Sequence, residues 1–138
     1  ENSGPEAPNG GHILSDSEKE TPDVLLIASG SEVEQCMQAK EILKTKGVDA
    51  RVVSMPCMEE FEKQPQAYKD EVLPPEVKAR VCVEAASPYS WYKYAGDCGE
   101  IIGMTTFGAS GPANKLFELF GFTAENVVEK AFRSLNKV

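Results

Sequence analysis

The chain has 138 residues, enough for one domain with a buried core and no need of disulfide bonds. Its 14 basic residues stand against 22 acidic ones, and the net charge of −8 disfavours nucleic acids and anionic membrane surfaces as partners. No apolar run approaches the ~20 residues that cross a bilayer, and the N-terminal residues lack the basic and apolar segments of a signal peptide.

The predicted elements alternate between strand and helix. In chain order they are a flexible leader at 1–10, an edge strand at 11–15, a strand at 24–29, a helix at 32–46, a strand at 49–53, two short helices at 58–63 and 66–72, a strand around 81–83, an aromatic helix at 89–94, a strand at 101–104, a helix through 113–120 and a last helix from 123. The inward face of the last helix is predicted to be Val127, Val128, Ala131, Phe132 and Leu135. This alternation predicts an α/β fold with a mostly parallel sheet between two layers of helices.

The four cysteines are Cys36, Cys57, Cys82 and Cys98, and no two of them form a C-x-x-C pair. The spacing therefore supports neither a zinc site nor a thioredoxin-type redox pair. Cys36 falls in a predicted helix and Cys82 in a predicted strand, which is typical of buried, reduced thiols in a cytosolic protein.

The turn between the first buried strand and the first long helix is a candidate anion site, because helix N-termini bind phosphates. It contains Ser29, Gly30 and Ser31 but lacks the glycines of a dinucleotide fingerprint and the Gly-Lys-Ser/Thr of a P-loop. Ser31 and Glu34 instead match a capping box, in which side chains occupy the amides that an anion needs. The favoured interpretation is a self-capped helix start. The alternative is a small regulatory anion held by Ser29, Gly30 and Ser31.

An aromatic segment contains Tyr89, Trp91, Tyr92 and Tyr94, more rings than one helical face can bury. Core packing and contact with a partner protein are both compatible with this pattern. Tyr89, Trp91 and Tyr92 are the interface candidates.

Patterns that would carry catalysis are weak. The stretch FGASGP at 107–112 has proline where a G-x-S-x-G nucleophile elbow has its last glycine. Ser110 would also need a basic partner, and the single histidine, His12, falls in a segment expected to be mobile.

The acidic residues Glu59, Glu60 and Glu62 are most simply a solvated face. With one histidine and no clustered ligands, the sequence gives no support to a catalytic transition-metal site.

Five strings carry the most specific information in the sequence. They are PDVLLIASGSEVEQ, VDARVVSMPCMEEFEKQ, VLPPEVKARVCVEAA, WYKYAGDCG and IGMTTFGASGPANKLFELFGFTAENVVEKA. In this order they closely resemble the C-terminal domain of transketolase, above all in SMP at 54–56, FGAS-x-PA at 107–113 and FGFT at 120–123. The resemblance runs from about residue 11 onward, so residues 11–138 are interpreted as one such domain.

The resemblance implies a three-layer αβα sandwich whose five-stranded sheet is mixed, with four parallel strands and one antiparallel strand. We assign the antiparallel strand to residues 12–14. The resemblance also implies a parent enzyme that transfers a two-carbon ketol unit from a ketose phosphate to an aldose phosphate in the pentose phosphate pathway. Such enzymes use thiamine diphosphate and a divalent metal, magnesium or calcium, and are cytoplasmic homodimers.

In this family the N-terminal and pyrimidine-binding domains hold the cofactor, the metal and the catalytic residues, and the present sequence is expected to begin after them. The stretch 96–99, GDCG, comes near to the Gly-Asp-Gly that starts the metal-diphosphate motif. However, Cys98 replaces the last glycine and no Asn-Asn pair follows, so a turn is favoured. No catalytic, cofactor-binding or metal-binding residue is therefore assigned to this chain.

The leading hypothesis is a non-catalytic domain that supports the structure and dimerisation of a larger enzyme. The alternative is a regulatory module that binds a small ligand at the carboxyl edge of the sheet. There Ser29, Gly30 and Ser31 would lie beside Ser54 and residues 85–87.

Overall fold

Strands and helices alternate along the chain as the sequence predicts. The computed structural model describes residues 10–28, 32–56, 58–84, 92–103 and 123–138. The elements are β1 (His12–Ser15), β2 (Val24–Ala28), α1 (Glu32–Thr45), β3 (Ala50–Ser54), α2 (Met58–Glu62), α3 (Gln66–Val72), β4 (Arg80–Glu84), α4 (Tyr92–Ala95), β5 (Glu100–Gly103) and α5 (Ala124–Lys137). The helix predicted through 113–120 and residues 1–9 of the predicted leader lie outside the described residues.

The five strands form one sheet in the order β1-β3-β2-β4-β5. β1 runs antiparallel to β3, with His12 opposite Ser54, and the other neighbouring strands are parallel. The antiparallel strand predicted at 12–14 is thus confirmed, and it continues through a register shift to Ser15. The expectation that His12 lies in a mobile segment is wrong, because its backbone pairs with the edge of the sheet.

β2 is the centre of the core. All five of its side chains have 0% exposure. Leu26 joins the core cluster on one face of the sheet, while Leu25 and Ile27 join the cluster on the other face. Because β2 is covered on both faces, its sequence is apolar without alternation.

The helices that the structure describes differ in length between the two faces of the sheet. α1 and α5, each of 14 residues, pack on one face, which we call the long-helix face. The shorter helices α2, α3 and α4 pack on the opposite face, which we call the short-helix face. The result is the predicted three-layer sandwich.

The long helices follow the local signals of the sequence. α1 buries Cys36 and Leu43 and ends before Gly47, whose φ of +81° favours glycine. α5 begins after Thr123, whose side chain accepts a hydrogen bond from the Asn126 amide at 3.2 Å; such a cap contributes about 1 kcal/mol. The inward side of α5 contains the predicted residues Val127, Val128, Ala131, Phe132 and Leu135, together with Ala124 and Ser134.

Arg51 of β3 is a buried charge on the short-helix face, only 5% exposed. Its Nε donates to Asp16 at 2.7 Å. Its Nη1 donates to the main-chain oxygens of Glu71 and Val72, at 2.9 and 3.3 Å. These carbonyls belong to the last turn of α3, so the guanidinium supplies donors that the helix itself lacks at its end.

Ser134 of α5 links three elements on the long-helix side of the sheet. Its buried hydroxyl accepts from the Arg80 amide at 2.9 Å and donates to the Cys98 carbonyl. The bonds join α5 to the start of β4 and to the turn before β5. A leucine at this position would have left both main-chain groups without this partner.

Candidate functional site

The carboxyl ends of β2 and β4 form the topological switch point of the sheet. These two strands are neighbours. From β2 the chain continues through α1 on the long-helix face to β3, whereas from β4 it continues to α4 on the short-helix face and then to β5. The connections diverge, and open α/β sheets bind ligands in the crevice that such a divergence leaves. The topology therefore marks the edge that holds the predicted anion turn.

The three residues of that turn, Ser29, Gly30 and Ser31, lie outside the described residues, so the anion site remains a prediction. Its neighbours are described. Glu32 opens α1 and is 6% exposed. A buried carboxylate in the first turn suits the helix dipole but repels an anion in the same place. The electrostatics of Glu32 therefore favour the self-capped interpretation.

The cysteines behind this turn are inert in the folded protein. Cys36 and Cys82 are buried free thiols, as predicted. Burial, assisted by the nearby Glu32 carboxylate, raises the pKa of Cys36 to about 12. Burial also raises the pKa of Cys82. Since thiolates are the reactive species, neither residue has the properties of a nucleophile.

Of the two other predicted contributors to this edge, only Ser54 is among the described residues. Ser54 ends β3 beside His12 and is partly buried, while residues 85–87 lie outside the described residues. Ser110, the other serine weighed for catalysis, is also outside them.

Of the four residues in the aromatic segment, Tyr94 is the one whose side chain the structure describes. Tyr89 and Trp91 lie outside the described residues, and for Tyr92 only the backbone, at the start of α4, is described. Tyr94 belongs to the core, with 5% exposure. Its ring centroid lies 6.1 Å from that of Phe61, in an edge-to-face arrangement. The interface role of Tyr89, Trp91 and Tyr92 remains a prediction.

Glu62 belongs to a polar cluster beneath Tyr94. The Tyr94 hydroxyl donates to its carboxylate, and Lys69 Nζ lies 3.6 Å from its Oε1. Burial, together with the bond to Glu62, raises the pKa of Tyr94. Glu59 and Glu60 are exposed as predicted, but the expectation of a solvated face is wrong for Glu62, because tertiary packing brings a buried phenol to it.

Arg80, at the amino end of β4, is a second partly buried arginine, which the sequence reasoning missed. Its Nε donates to the Val77 carbonyl at 2.9 Å. One terminal nitrogen donates to the Tyr94 carbonyl at 2.7 Å and the other to the Pro74 carbonyl at 2.9 Å. The available signal was an arginine between the apolar residues Ala79 and Val81, at the start of a buried strand.

Two cavities meet at Arg80 on the short-helix side. One, of about 340 Å³, lies between Pro75, Val77 and Lys78 and residues 95–98. The other, of about 320 Å³, is lined by Lys69, Tyr94 and their neighbours. The first lies at the amino edge of the sheet, beside the start of β4, and both are lined by residues other than those of the predicted anion turn. They are therefore distinct from the predicted anion site.

The stretch 96–99 forms the predicted turn into β5. Gly96 has a φ of +74°, and the Gly99 amide donates to the Gly96 carbonyl at 3.4 Å. A Cβ at Gly99 would lie 2.2 Å from the Ala95 oxygen, so this close approach requires glycine. Asp97 is exposed at the tip of the turn.

Among the residues that the structure describes, side chains that could ligate the metal of thiamine diphosphate are not clustered. The diphosphate of such a cofactor is held through a metal ion with oxygen ligands. Within residues 10–28, 32–56, 58–84, 92–103 and 123–138, no group of three or more His, Cys, Asp or Glu side chains could hold a metal ion. The nearest sequence match to the motif is the tight turn at 96–99. No catalytic step through the cofactor is derived from these residues.

No helix within the described ranges has the length and apolar character needed to cross a membrane.

Comparison with known proteins gives consistent matches. The model of the family described as "Transketolase-like TK C-terminal domain" matches residues 10–123. Transketolase 1 of Vibrio vulnificus (strain YJ016) is 55% identical over 122 residues, which are 88% of this chain and 18% of that protein. The transketolase of Aquifex aeolicus (strain VF5) is 53% identical over 121 residues, 88% of this chain and 17% of that protein. The chain thus spans less than a fifth of the length of these relatives.

Solved structures show the same fold. Transketolase from Leishmania mexicana superposes with a TM-score of 0.85 at 37% identity, covering 94% of this chain and 18% of that one. A structure described as "Split gene transketolase, inactive beta4 tetramer" has a TM-score of 0.72 at 20% identity, covering 94% of this chain and 43% of that one. At that identity the second likeness concerns the fold alone.

Proposed function

The chain belongs to the family of transketolase-like C-terminal domains, and we propose that it serves as the C-terminal domain of a thiamine diphosphate-dependent transketolase. The parent enzyme transfers a two-carbon ketol unit from a ketose phosphate to an aldose phosphate in the pentose phosphate pathway. The observation that carries this proposal is the high identity to bacterial transketolases along nearly the whole chain.

In this proposal the chain has a structural role and takes no part in the chemical step. Charged side chains among its described residues hold elements of the fold together, since Arg51 and Arg80 bind main-chain carbonyls and Glu62 binds Tyr94. The cofactor, its magnesium or calcium ion and the catalytic groups then belong to the N-terminal and pyrimidine-binding domains of the same protein.

Two forms of the protein test the proposal. The isolated 138-residue chain, assayed with thiamine diphosphate, Mg²⁺, a ketose phosphate and an aldose phosphate, is expected to show no ketol transfer. A chimera in which this chain replaces the matching region of the Vibrio vulnificus transketolase is expected to transfer the ketol unit. Activity of the isolated chain would refute the non-catalytic role. A folded chimera that binds cofactor but is inactive would refute the assignment to a transketolase.

The proposal includes a homodimer, with Tyr89, Trp91 and Tyr92 as interface candidates. The surplus of aromatic side chains over what one short helix can bury supports this assignment. In the chimera, Trp91→Ala is expected to shift the mass measured by light scattering towards the monomer. Leu14→Ala, which removes an exposed apolar side chain from β1, is the control. An unchanged dimer with Trp91→Ala would count against the interface.

A cytoplasmic location is the natural setting for this enzyme. The thiols of Cys36, Cys82 and Cys98 are free, which suits a reducing compartment. Fractionation of cells that express the protein tests the location, and recovery in a membrane or secreted fraction would contradict it.

A second candidate function is regulatory binding of a small ligand, which the switch-point topology favours. The site would be Ser29, Gly30 and Ser31 at the end of β2. Calorimetric titration with a panel of sugar phosphates and nucleotides tests it, with Ser31→Ala as the variant expected to weaken binding. The absence of heat across the panel would exclude this function.

A further inference from the structure

The larger cavity beside Arg80 has the chemistry of an anion site, although it lies at the amino edge of the sheet. The Arg80 guanidinium has five N–H bonds, and three of them are used by the carbonyls of Val77, Tyr94 and Pro74. Within the described part of the chain the remaining two have no protein acceptor, and no carboxylate pairs with Arg80. Carbonyls supply partial charge only, so the cation is bound but not neutralised.

Partial burial of the Arg80 guanidinium costs desolvation free energy. Desolvation by burial lowers the pKa of Arg80, which means that the folded protein holds the charged form less favourably than water does. An anion that approached the two free N–H bonds would offset this cost through charge-assisted hydrogen bonds.

The cavity has the size and lining for a small organic anion. Its volume is about 340 Å³, within the range of small-molecule sites. Lys78 and Arg80 supply two cations, and Asp97 supplies one anion at the rim. Pro75 and Ala95 contribute apolar walls. In a chain with a net charge of −8, this lining is locally positive.

We propose that the cavity lined by Pro75, Val77, Lys78, Arg80 and residues 95–98 binds a small phosphate or carboxylate anion, with Arg80 as the primary ligand and Lys78 as a second cation. The apolar walls would accept a short hydrocarbon portion. This proposal is independent of ketol transfer, since it rests on Arg80 and its surroundings alone.

The test is an NMR titration of the ¹⁵N-labelled 138-residue chain at constant ionic strength, with inorganic phosphate in one series and butyrate in another. Saturable shifts are expected at the amides of residues 96–98 and at Arg80 Nε, with a dissociation constant on the order of 1 mM. Saturation by one probe identifies the preferred class of anion. Shifts that grow linearly with both probes, or that occur only elsewhere, would overturn the proposal.

Three variants complete the test. Arg80→Met is expected to abolish the saturable chemical-shift changes. The spectrum of this variant also shows whether the variant is folded. Lys78 is exposed, so Lys78→Gln keeps the fold and is expected to weaken binding about two- to fivefold, as for one partly exposed ion pair. Lys46→Gln, at an exposed position after α1, is the charge-matched control and should bind like the parent chain. Equal affinity of Lys78→Gln and Lys46→Gln would contradict the assigned site.

Discussion

Replacing Arg51 with methionine should destabilise the protein through the end of α3 more than through the ion pair with Asp16. The Arg51 side chain is buried, whereas the Asp16 side chain is 56% exposed and can be hydrated after the change. The Val72 carbonyl lies in the core and would lose a charged donor, at a cost of about 1–3 kcal/mol. Removal of a cation from the helix C-terminus adds about 0.5 kcal/mol. Methionine restores apolar contacts, so the net loss is expected to be about 2 kcal/mol.

Urea unfolding followed by circular dichroism measures this loss, and for a chain of this size it corresponds to a fall in Tm of roughly 6 °C. Asp16→Asn keeps the shape of the partner and removes its charge, and it should cost at most about 1 kcal/mol, because the Asp16 side of the pair is exposed to water and the asparagine oxygen can still accept from Arg51. A double-mutant cycle of the two changes isolates the ion pair. The reasoning fails if Arg51→Met is as stable as the parent chain, or if Asp16→Asn is as damaging as Arg51→Met.

Three further results are expected. Partial burial tends to raise the pKa of Asp16, but the hydrogen bonds from Arg51 and the backbone lower it overall. The Asp16 carboxylate therefore contributes its full stabilisation at pH values above the pKa that it has in the unfolded chain, about 3.8, and this stabilisation is lost as the pH falls below that value. Asp16→Asn should remove this part of the pH dependence of the free energy of unfolding, and an unchanged pH dependence would contradict the lowered pKa of Asp16. Ser134→Ala leaves two main-chain groups unpaired and should cost about 1–3 kcal/mol of unfolding free energy, whereas no change would mean that water replaces the hydroxyl. Cys36 and Cys82 should resist Ellman's reagent at pH 8 until urea unfolds the chain; their early labelling, mapped by mass spectrometry, would contradict their burial.

The periodicity of the sequence was sufficient to predict most of the elements that the structure describes, because these depend on short-range patterns. β2 is apolar throughout and is buried throughout, and α5 begins next to Thr123 and has the predicted inward face. The antiparallel direction of β1 is different. Residues 12–14 carry no local signal for direction, and only the family resemblance supplied it. Strand direction depends on connections over long distances, which composition does not encode.

The roles of the charged residues could not be predicted in the same way. Arg51 and Arg80 each occupy a strand, yet their carbonyl partners lie 3 to 21 residues away in sequence, and the Asp16 carboxylate lies 35 residues from Arg51. Glu62 looked like one of three similar carboxylates until packing placed it beneath Tyr94. A propensity describes a residue and its neighbours along the chain, whereas these contacts depend on which helices cover the short-helix face.

The dependence of α3 and α4 on those two arginines has a consequence for the order of folding. Helices of seven and four residues are far below the length at which a helix persists alone in water, about 12–15 residues. Their final carbonyls are bound by arginines from β3 and β4. α3 and α4 should thus become protected from amide exchange only once those strands are paired, whereas α1 can begin to form earlier from its own sequence. The two faces of the sheet would then be completed at different times, the long-helix face first.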